Sequence, residues 1–295
     1  MMPAEDLPPH VRLLLRALPL PRKTTVVDVG ANPAHVPPYA ALLRAGACQV
    51  VGFEPLPDAF AQLQRDKGPN ETYHNCALGD GTRKTFHTYR VPTLSSFFPP
   101  HLPGVMILRK PRWATVDKVV EIDTTALDAI SDLVPFDLLK IDVQGGEAMV
   151  IAHARTLLIE AVAVIVELRY MRMYEGEPMS GGVDHELLAQ GFMLHKFLGN
   201  KSLPLLNSQS ARLADRRNRD QLVDGDAVYL RHPGQMTDFS DTQLMHLAVL
   251  AASVFASHTV VVAALDELVR RALIDAGVPA AYVAALPAVY RTNPP

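Results

Sequence analysis

The sequence predicts an α/β fold with a mostly parallel sheet and helices on both of its faces. Three observations lead to this prediction. Strand-like apolar runs alternate with helical patterns from residue 25 to about residue 235, and a glycine turn at Gly30 follows the first run. Acidic residues stand at the ends of several of these runs, beginning with Glu54. Such alternation is typical of βαβ units, which build a parallel sheet with crossover helices.

Each element follows from its apolar spacing and from the residues that bound it. The first strand, residues 25–29, is rich in β-branched residues and stops at Gly30. A helix over residues 36–45 is expected next, because two prolines suit its first turn and Gly46 suits its end. Residues 91–118 are irregular and proline-rich, which is typical of a loop or a lid. The other predicted strands cover residues 49–53, 73–76, 136–142, 161–168, 192–197 and 226–230, the last two able to pair, and the other helices cover residues 58–65, 147–158 and 184–190.

The pattern becomes wholly helical in the last sixty or so residues of the chain. Ser240 or Asp241 is expected to cap the first of these helices, and Gly277 with Pro279 is typical of a helix stop. We therefore predict a ligand-binding α/β domain over residues 1–235 and a helical C-terminal extension over residues 236–295.

One part of this extension, residues 244–265, is apolar and long enough to cross a bilayer. It also contains several hydroxyl side chains, and Ser257 or Thr259 could cap a second helix that divides the run. We predict two core or interface helices here and no membrane span. Their apolar surfaces could also join two copies of the chain into a homo-oligomer.

Composition and charge argue against several classes of protein. The chain has 295 residues, 48% of them hydrophobic, and a formal net charge of −3. Because no long basic run occurs, a general grip on nucleic acid through its phosphates is not expected. Cys48 and Cys76 lie outside any Cys-x-x-Cys pair, so neither a disulfide framework nor a zinc site is expected. We predict a cytoplasmic protein that holds no metal ion.

The residues after the first two strands indicate the kind of ligand. Gly30 lets the backbone approach a ligand, and the helix predicted next would offer its positive N-terminus. Glu54 follows Gly30 by 24 residues, where an acid can bond both hydroxyls of a ribose. A dinucleotide site would need further glycines for a pyrophosphate, and the loop after Gly30 has none. The acid before the glycine, Asp28, instead suits the ammonium group of S-adenosylmethionine (SAM), which has no phosphate.

These motifs occur together with others in a fixed order. VVDVGANPAHV is followed by VVGFEPLPDAF, NCALGDG and DLLKIDVQGGEAMVIAHA, within residues 25–231. In this combination the chain resembles the FkbM family of methyltransferases. The resemblance implies a Rossmann-like class I methyltransferase fold, SAM as the cofactor, and methylation of a hydroxyl oxygen on a sugar or a polyketide-derived natural product or glycoside.

The resemblance also implies which residues contact SAM. The first loop would hold the cofactor, Glu54 its ribose, and the segment around Cys76 the adenine side. Pro33 and Ala34 depart from the family pattern, which usually has another glycine at residue 34, and Gln144 replaces a usual glutamate and cannot act as a base. The expected cofactor-binding residues are Asp28, Gly30, Ala31, Asn32, Glu54, Pro55, Asn75, Cys76, Ala77 and Asp142.

Methyl transfer to a hydroxyl group needs an in-line acceptor oxygen and a base that takes its proton. Asp142 is the first candidate for this catalytic base, because it ends a buried strand at the expected edge of the site. Glu147 and Glu167 are the next candidates, and His35 and His195 are weaker ones. Asp142 could also position the cofactor, and Glu147 could serve only to begin its helix.

Two other classes of function stay open at this point. One is a non-catalytic SAM-binding or assembly module, and the candidate bases argue mildly against it. The other is a nicotinamide-dependent oxidoreductase, which the missing pyrophosphate glycines disfavour.

Overall fold

A computed structural model describes residues 7–292 of the chain, so the predicted domains 1–235 and 236–295 begin and end outside the described residues. Its centre is a seven-stranded sheet. The strands are β1 (Thr24–Val29), β2 (Cys48–Phe53), β3 (Glu71–His74), β7 (Leu138–Ile141), β8 (Ala163–Arg169), β9 (Phe192–Leu203) and β10 (Gln221–Arg231). They lie in the order β3-β2-β1-β7-β8-β10-β9. Every pairing from β3 to β8 is parallel, whereas β10 runs antiparallel to both of its neighbours.

Helices cover both faces of this sheet. Neighbouring residues of a strand point to opposite faces of the sheet. Val26 packs in a buried hydrophobic cluster on one face, and Val27 packs in a second cluster on the other face. The predicted α/β fold class, mostly parallel with helices on both faces, is therefore confirmed. The helices are α1 (Pro9–Ala17), α2 (Ala40–Arg44), α3 (Pro57–Asp66), α4 (Leu102–Ile107), α5 (Glu147–Ala152), α6 (Ser180–Ala189), α7 (Asp241–Ser253), α8 (His258–Arg270) and α9 (Val278–Ala284).

The C-terminal helices pack on one face of the sheet. Leu244 on α7 and Leu265 on α8 belong to the same buried cluster as Val26 and Val50 of the sheet. Much of the apolar surface that suggested self-association is thus buried within the chain itself. The domain boundary at residue 235 and the homo-oligomer stay predictions.

The apolar stretch of the extension is divided as predicted. Ser240 caps α7 in a capping box with Gln243, α7 ends at Ser253, and Ser257 occupies the N-cap position of α8. Within residues 7–292, none of the helices has the length and apolar character needed to cross a membrane.

The predicted helix stop at Gly277 and Pro279 is wrong. Gly277 is the N-cap residue of α9, and Pro279 lies in its first turn. Proline suits this position because its missing N–H would have no partner inside the helix. The same residue types that follow one helix therefore begin another.

A second sheet, in the order β4-β6-β5, was not predicted. It is formed by β4 (Ala77–Leu78), β5 (Arg83–Tyr89) and β6 (Val116–Thr125), and β6 ends the region predicted as irregular. Most residues of β6 are exposed, so the strand lacks the apolar run that marks a buried strand in sequence.

Candidate functional site

A cavity of about 990 Å³ opens where β1, β2 and β7 end. This is the edge at which open parallel sheets bind ligands. Asp28 on β1, Glu54 after β2, Asp142 after β7 and Glu167 near the end of β8 all line it. The fold therefore brings together four acids that are far apart in sequence, and the volume lies within the usual range of ligand pockets.

The first loop of the site is fixed by the neighbouring strands. Gly30 has a φ of +80°, which favours glycine, and a β-carbon there would lie 2.0 Å from the carbonyl oxygen of Asp142. The N–H groups of Gly30 and Ala31 both donate to the carbonyl of Phe53 at 3.0 Å. Gly30 thus serves the packing of two loops against each other. Ala31 and Asn32 also line the cavity.

The helix after this loop is shorter than predicted. It begins at Ala40, not at residue 36, and has only five residues. Pro38 disfavours a helical conformation at Pro37, and Tyr39 becomes the N-cap residue. The expected helix start at residue 36 is therefore moved to Ala40, further along the chain from Gly30.

Asp28 is buried and already has two partners. Its Oδ1 accepts a hydrogen bond from Lys140 Nζ at 3.0 Å, and its Oδ2 accepts one from the hydroxyl of Tyr39. Burial acts to lower the pKa of Lys140, but Asp28 and Asp142 outweigh it and raise this pKa above its ordinary value. Lys140 also lines the cavity, so the fold places beside Asp28 a cation that was not predicted as a site residue.

Glu54 is buried at the end of β2. Its Oε1 accepts a hydrogen bond from Leu56 N–H at 2.8 Å. Burial, with smaller contributions from Asp28 and Asp142, raises the pKa of Glu54 to about 7, although the Leu56 N–H opposes this shift. The carboxyl therefore changes its charge near neutral pH.

The remaining predicted cofactor-binding residues near Glu54 are Pro55, Asn75, Cys76 and Ala77. Pro55, Cys76 and Ala77 line the cavity. Asn75 does not, and its Nδ2 instead donates to the carbonyls of Glu54 and Pro55 at 2.8 and 3.1 Å. Asn75 therefore holds the turn that carries Glu54.

Asp142 and Glu167 lie side by side at the centre of the site. The amide of Gln144 donates to Asp142 Oδ1 at 2.7 Å and to Glu167 Oε2 at 2.8 Å. Arg169 Nη2 also donates to Glu167 Oε2 at 2.8 Å. Burial and then Asp142 raise the pKa of Glu167 above its ordinary value, while Arg169 opposes them. Within residues 7–292, Asp142 Oδ2 and Glu167 Oε1 accept no hydrogen bond from the protein.

Glu147, the second predicted base, is placed differently. It is buried, does not line the cavity, and accepts the N–H groups of Val143 and Gly145 at 2.9 Å each. Its carboxylate closes the turn that begins α5, which is the structural role acids favour at a helix start. Glu147 thus lies close to the cavity-facing acids but outside the cavity lining.

The two histidines considered as bases lie in different parts of the structure. His35 lines the cavity. His195 lies on β9, and its Nε2 is 2.7 Å from Ser257 Oγ, against the C-terminal helices. A histidine in a predicted strand is most often packed, and His195 follows that rule.

One carboxylate oxygen from each of Asp142, Glu147 and Glu167 lies within 4.8 Å of the others, which is close enough to hold a metal ion. Each of these carboxylates accepts N–H donors, from Gln144, from backbone amides or from Arg169. Each of the three carboxylates thus has hydrogen-bond partners within the chain, and we assign no metal to them.

The structure adds residues that sequence reasoning missed. Asp226 on β10 stands opposite Glu167 in the register and lines the cavity together with Asp224 and Lys201. Burial and then Asp142 raise the pKa of Asp226. The signal in sequence was the pair of acids around Gly225 in an otherwise apolar strand, but strand order was needed to place it.

The proline-rich segment contributes one wall of the cavity. Pro92 to Ser95 and Phe97 line it, and Ser96 Oγ donates to the carbonyl of Gln144 at 2.6 Å. The segment is therefore fastened over the turn that carries Asp142.

The sequence profile of the methyltransferase FkbM domain matches residues 28–194, more than half of the chain. The chain belongs to the FkbM methyltransferase family. The matched range includes the first loop, Glu54, and the turn with Asp142 and Gln144. It ends before β10, so the profile does not cover Asp226. No curated protein matches the chain significantly.

Three solved structures illustrate the wider similarity of this FkbM-family protein. A putative methyltransferase from Thermoplasma acidophilum is 11% identical, with a TM-score of 0.36, over 72% of this chain and 70% of that one. Precorrin-6y C5,15-methyltransferase from Geobacter metallireducens is 11% identical, with a TM-score of 0.36, over 75% and 86%. The 1,6-didemethyltoxoflavin-N1-methyltransferase from Burkholderia thailandensis, solved with S-adenosylhomocysteine (SAH), is 11% identical, with a TM-score of 0.32, over 77% and 78%. At these values no residue role or acceptor is transferred to this chain.

A methyltransferase of the FkbM family uses SAM, and the cavity fits this cofactor. Its volume of about 990 Å³ leaves room for a cofactor and an acceptor together. Glu54 can receive ribose hydroxyls, Leu78 and Phe86 supply apolar wall, and Lys140 is a cation for a carboxylate. These features also match the chemistry of SAM, which has hydroxyls, a flat base and an amino acid end but no phosphate.

Proposed function

We propose that this FkbM-family protein transfers the methyl group of SAM to a hydroxyl oxygen of a sugar or natural-product acceptor, such as a glycoside or a polyketide. The observation that supports the proposal most directly is the pair Asp142 and Glu167. Each carboxylate lines the cavity, each is held through one oxygen by Gln144, and the other oxygen has no protein donor among the described residues. A hydroxyl acceptor needs such a group to receive its proton.

The cofactor is proposed to lie along the ends of β1 and β2. Gly30, Ala31 and Asn32 would follow its amino acid part, with Lys140 facing the carboxylate and Asp28 the ammonium. Glu54 and Pro55 would contact the ribose, and Cys76 and Ala77 the adenine, with Asn75 holding their turn. All of these except Asn75 line the cavity.

The acceptor is proposed to be rich in hydroxyl groups. Asp224 and Asp226 offer carboxylate oxygens, and Thr93 and Ser95 offer hydroxyls, on the part of the lining formed by β10 and the proline-rich segment. Leu94 and Phe97 add apolar surface there. Hydrogen-bonding groups beside an apolar wall suit the polar edge and the flatter face of a sugar ring or a decorated polyketide.

In the proposed reaction, SAM supplies an electrophilic methyl group on a sulfonium. The acceptor oxygen forms its bond to the methyl carbon as the carbon–sulfur bond breaks, and the hydroxyl proton passes to Asp142 Oδ2. Glu167 is placed to hold the acceptor or to take the proton in its place. The products are a methyl ether and SAH, and the proton leaves to solvent.

We test the proposal with deuterated-methyl SAM and a panel of glycosides and polyhydroxylated polyketides, with matched amines as the comparison. Mass spectrometry should find the labelled methyl on an oxygen, with one SAH formed for each ether. Transfer to amines alone would overturn the O-methyl assignment. Calorimetric binding of SAM without transfer to any acceptor would favour the non-catalytic module, and binding of NADH in place of SAM would favour an oxidoreductase.

We also propose that the protein acts in the cytoplasm. Its two cysteines, one buried and one half-buried, are both free thiols, which a reducing compartment would preserve. Self-association through the C-terminal helices remains a prediction, which light scattering can check.

A further inference from the structure

Gln144 connects more of the site than any residue the sequence singled out. Its Nε2 donates to Asp142 Oδ1 and to Glu167 Oε2 at 2.7 and 2.8 Å. Its Oε1 accepts from the Tyr174 hydroxyl at 3.0 Å and from Arg169 Nη2 at 3.1 Å. Both donors of the amide group and both acceptor positions of its oxygen are therefore used.

These contacts permit only one orientation of the amide. Arg169 is a donor without an acceptor, so it must face the oxygen of Gln144 and not its nitrogen. Two carboxylates on the other side must then face the nitrogen. A rotated amide would place oxygen against carboxylate twice and nitrogen against guanidinium once.

The backbone of Gln144 adopts an unfavourable conformation, which places the side chain between its partners. Gln144 has a φ of +55°, in the left-handed region that side-chain-bearing residues seldom adopt. Its carbonyl accepts the hydroxyl of Ser96, and the residue is buried. A strained backbone at a functional site persists where its surroundings fix it, as they do at Gln144.

We propose that Gln144 is a positioning residue for proton transfer: its amide bridges Asp142 and Glu167, lessens the repulsion between the two carboxylates, and turns Asp142 Oδ2 to the acceptor. Without the bridge, two neighbouring carboxylates repel each other and tend to share one proton. A shared proton would occupy the group that must receive the acceptor's proton. The inference deepens the proposed function and depends on it for the role of Asp142.

The variant Gln144→Glu tests the bridge, because it keeps the size of the side chain and replaces the N–H donor with a third carboxyl. Protonated, the new carboxyl can still donate to one acid; ionised, it faces two carboxylates at hydrogen-bond distance. Its pKa in the folded protein must therefore lie above that of an exposed glutamate. Stability relative to the wild type is kept near pH 5 and falls as the pH rises toward 8. The charged or titratable groups around it are Asp142, Glu147, Glu167, Arg169, Tyr174, Glu177, Asp224 and Asp226.

We expect the melting temperature of Gln144→Glu to be near that of the wild type at pH 5 and lower by more than about 5 °C at pH 8. Gln144→Met, which removes the bridge without adding charge, should lose less at pH 8 than Gln144→Glu does, because it brings together two carboxylates and not three. The double variant Gln144→Glu with Glu167→Gln exchanges amide and carboxyl, and it should recover most of the loss at pH 8. Gln235→Glu, on an exposed glutamine outside the cavity, controls for net charge.

The kinetic readout is the pH dependence of methyl transfer. In Gln144→Glu the acidic limb of the rate profile should move to higher pH, because the shared proton must leave before Asp142 can accept another. If Gln144→Glu loses the same stability at pH 5 and at pH 8, or if the double variant recovers none of the loss, the proposed bridge is overturned. If the wild type itself transfers no methyl group, the proposed function fails, while the melting experiment still decides on the bridge.

Discussion

Gly30 lies directly against the backbone of Asp142, so that a β-carbon on Gly30 would be 2.0 Å from the Asp142 carbonyl oxygen. The two residues belong to the loops after β1 and β7, which are neighbours in the sheet. The loop proposed to hold SAM and the turn proposed to carry the base are thus set by one contact. A change at Gly30 should disturb both.

The variant Gly30→Ala tests this contact. The added methyl cannot fit beside a backbone carbonyl, and alanine is also strained at a φ of +80°. We expect a loss of at least about 2 kcal/mol of unfolding free energy, together with weakened SAM binding. Chemical denaturation and calorimetry measure the two effects.

Gly176→Ala is the matched control for Gly30→Ala. Gly176 has a similar φ of +76°, but nothing lies within 4 Å of the position of its β-carbon. It should lose only the backbone component, about 1 kcal/mol, and bind SAM normally. Equal losses at both positions would show that the contact with Asp142 contributes nothing.

The variant Asp142→Asn removes the proposed base while keeping the shape of the side chain. We expect kcat to fall by about 10²- to 10⁴-fold, with SAM affinity changed by less than about threefold. Single-turnover kinetics on an acceptor and calorimetry with SAM separate the two quantities. Asp132→Asn, at an exposed aspartate away from the cavity, serves as control.

Glu167→Gln belongs in the same series. If Asp142 is the base and Glu167 holds the acceptor, this variant should mainly raise the KM of the acceptor. Unchanged kcat in Asp142→Asn together with a large loss in Glu167→Gln would transfer the role of base to Glu167.

The affinity for SAM should depend on pH through Glu54. Burial raises the pKa of Glu54 to about 7, so its carboxylate is fully ionised only above that value. If the ionised form accepts the ribose hydroxyls, the Kd for SAM should be up to about tenfold higher at pH 6 than at pH 8. Calorimetry at both pH values measures this, and Glu54→Gln should bind weakly with little pH dependence. A wild-type Kd that stays constant from pH 6 to pH 8 would argue against the ribose contact.

Glu147 should act in stability and not in catalysis. Glu147→Ala removes the acceptor of the Val143 and Gly145 N–H groups and should cost about 1–3 kcal/mol of unfolding free energy. Glu147→Gln keeps one carbonyl oxygen for these donors, so it should cost less and retain turnover within about threefold. Thermal melts and steady-state rates measure both variants. Loss of turnover in Glu147→Gln without loss of stability would restore Glu147 as a candidate base.

Much of the fold was predictable because the central strands are buried on both faces. All six residues of β1 are buried, and its β-branched Thr and Val residues give the pattern that sequence reasoning detects. The second sheet was missed for the opposite reason, since β6 is mostly exposed and its pattern reflects local pairing with β5. Helix α2 was misplaced because prolines near a helix start fix only an approximate boundary.

The site divides in a similar way. Gly30 and Glu54 could be named from sequence, because a glycine after the first strand and an acid after the second have the spacing of a ribose-binding site. Lys140 and Gln144 lie in the quoted motifs, but their partners come from other strands. Asp226 could not be placed, because it faces Glu167 only through the antiparallel insertion of β10 beside β8.

The sequence by itself determined the α/β class, the family and the cofactor, and it predicted the loop from Asp28 to Asn32 as a cofactor site, because short motifs and their order along the chain carry this information. Only the tertiary structure decided which acids face the cavity. Asp142 and Glu147 are five residues apart, yet one faces the cavity and the other is buried beneath the turn. The tertiary structure also showed that the Asp142 carbonyl oxygen leaves no space for a β-carbon at position 30, so a glycine is needed there for packing. Contacts between strands that are distant in sequence set these properties, and the local sequence pattern does not predict such contacts.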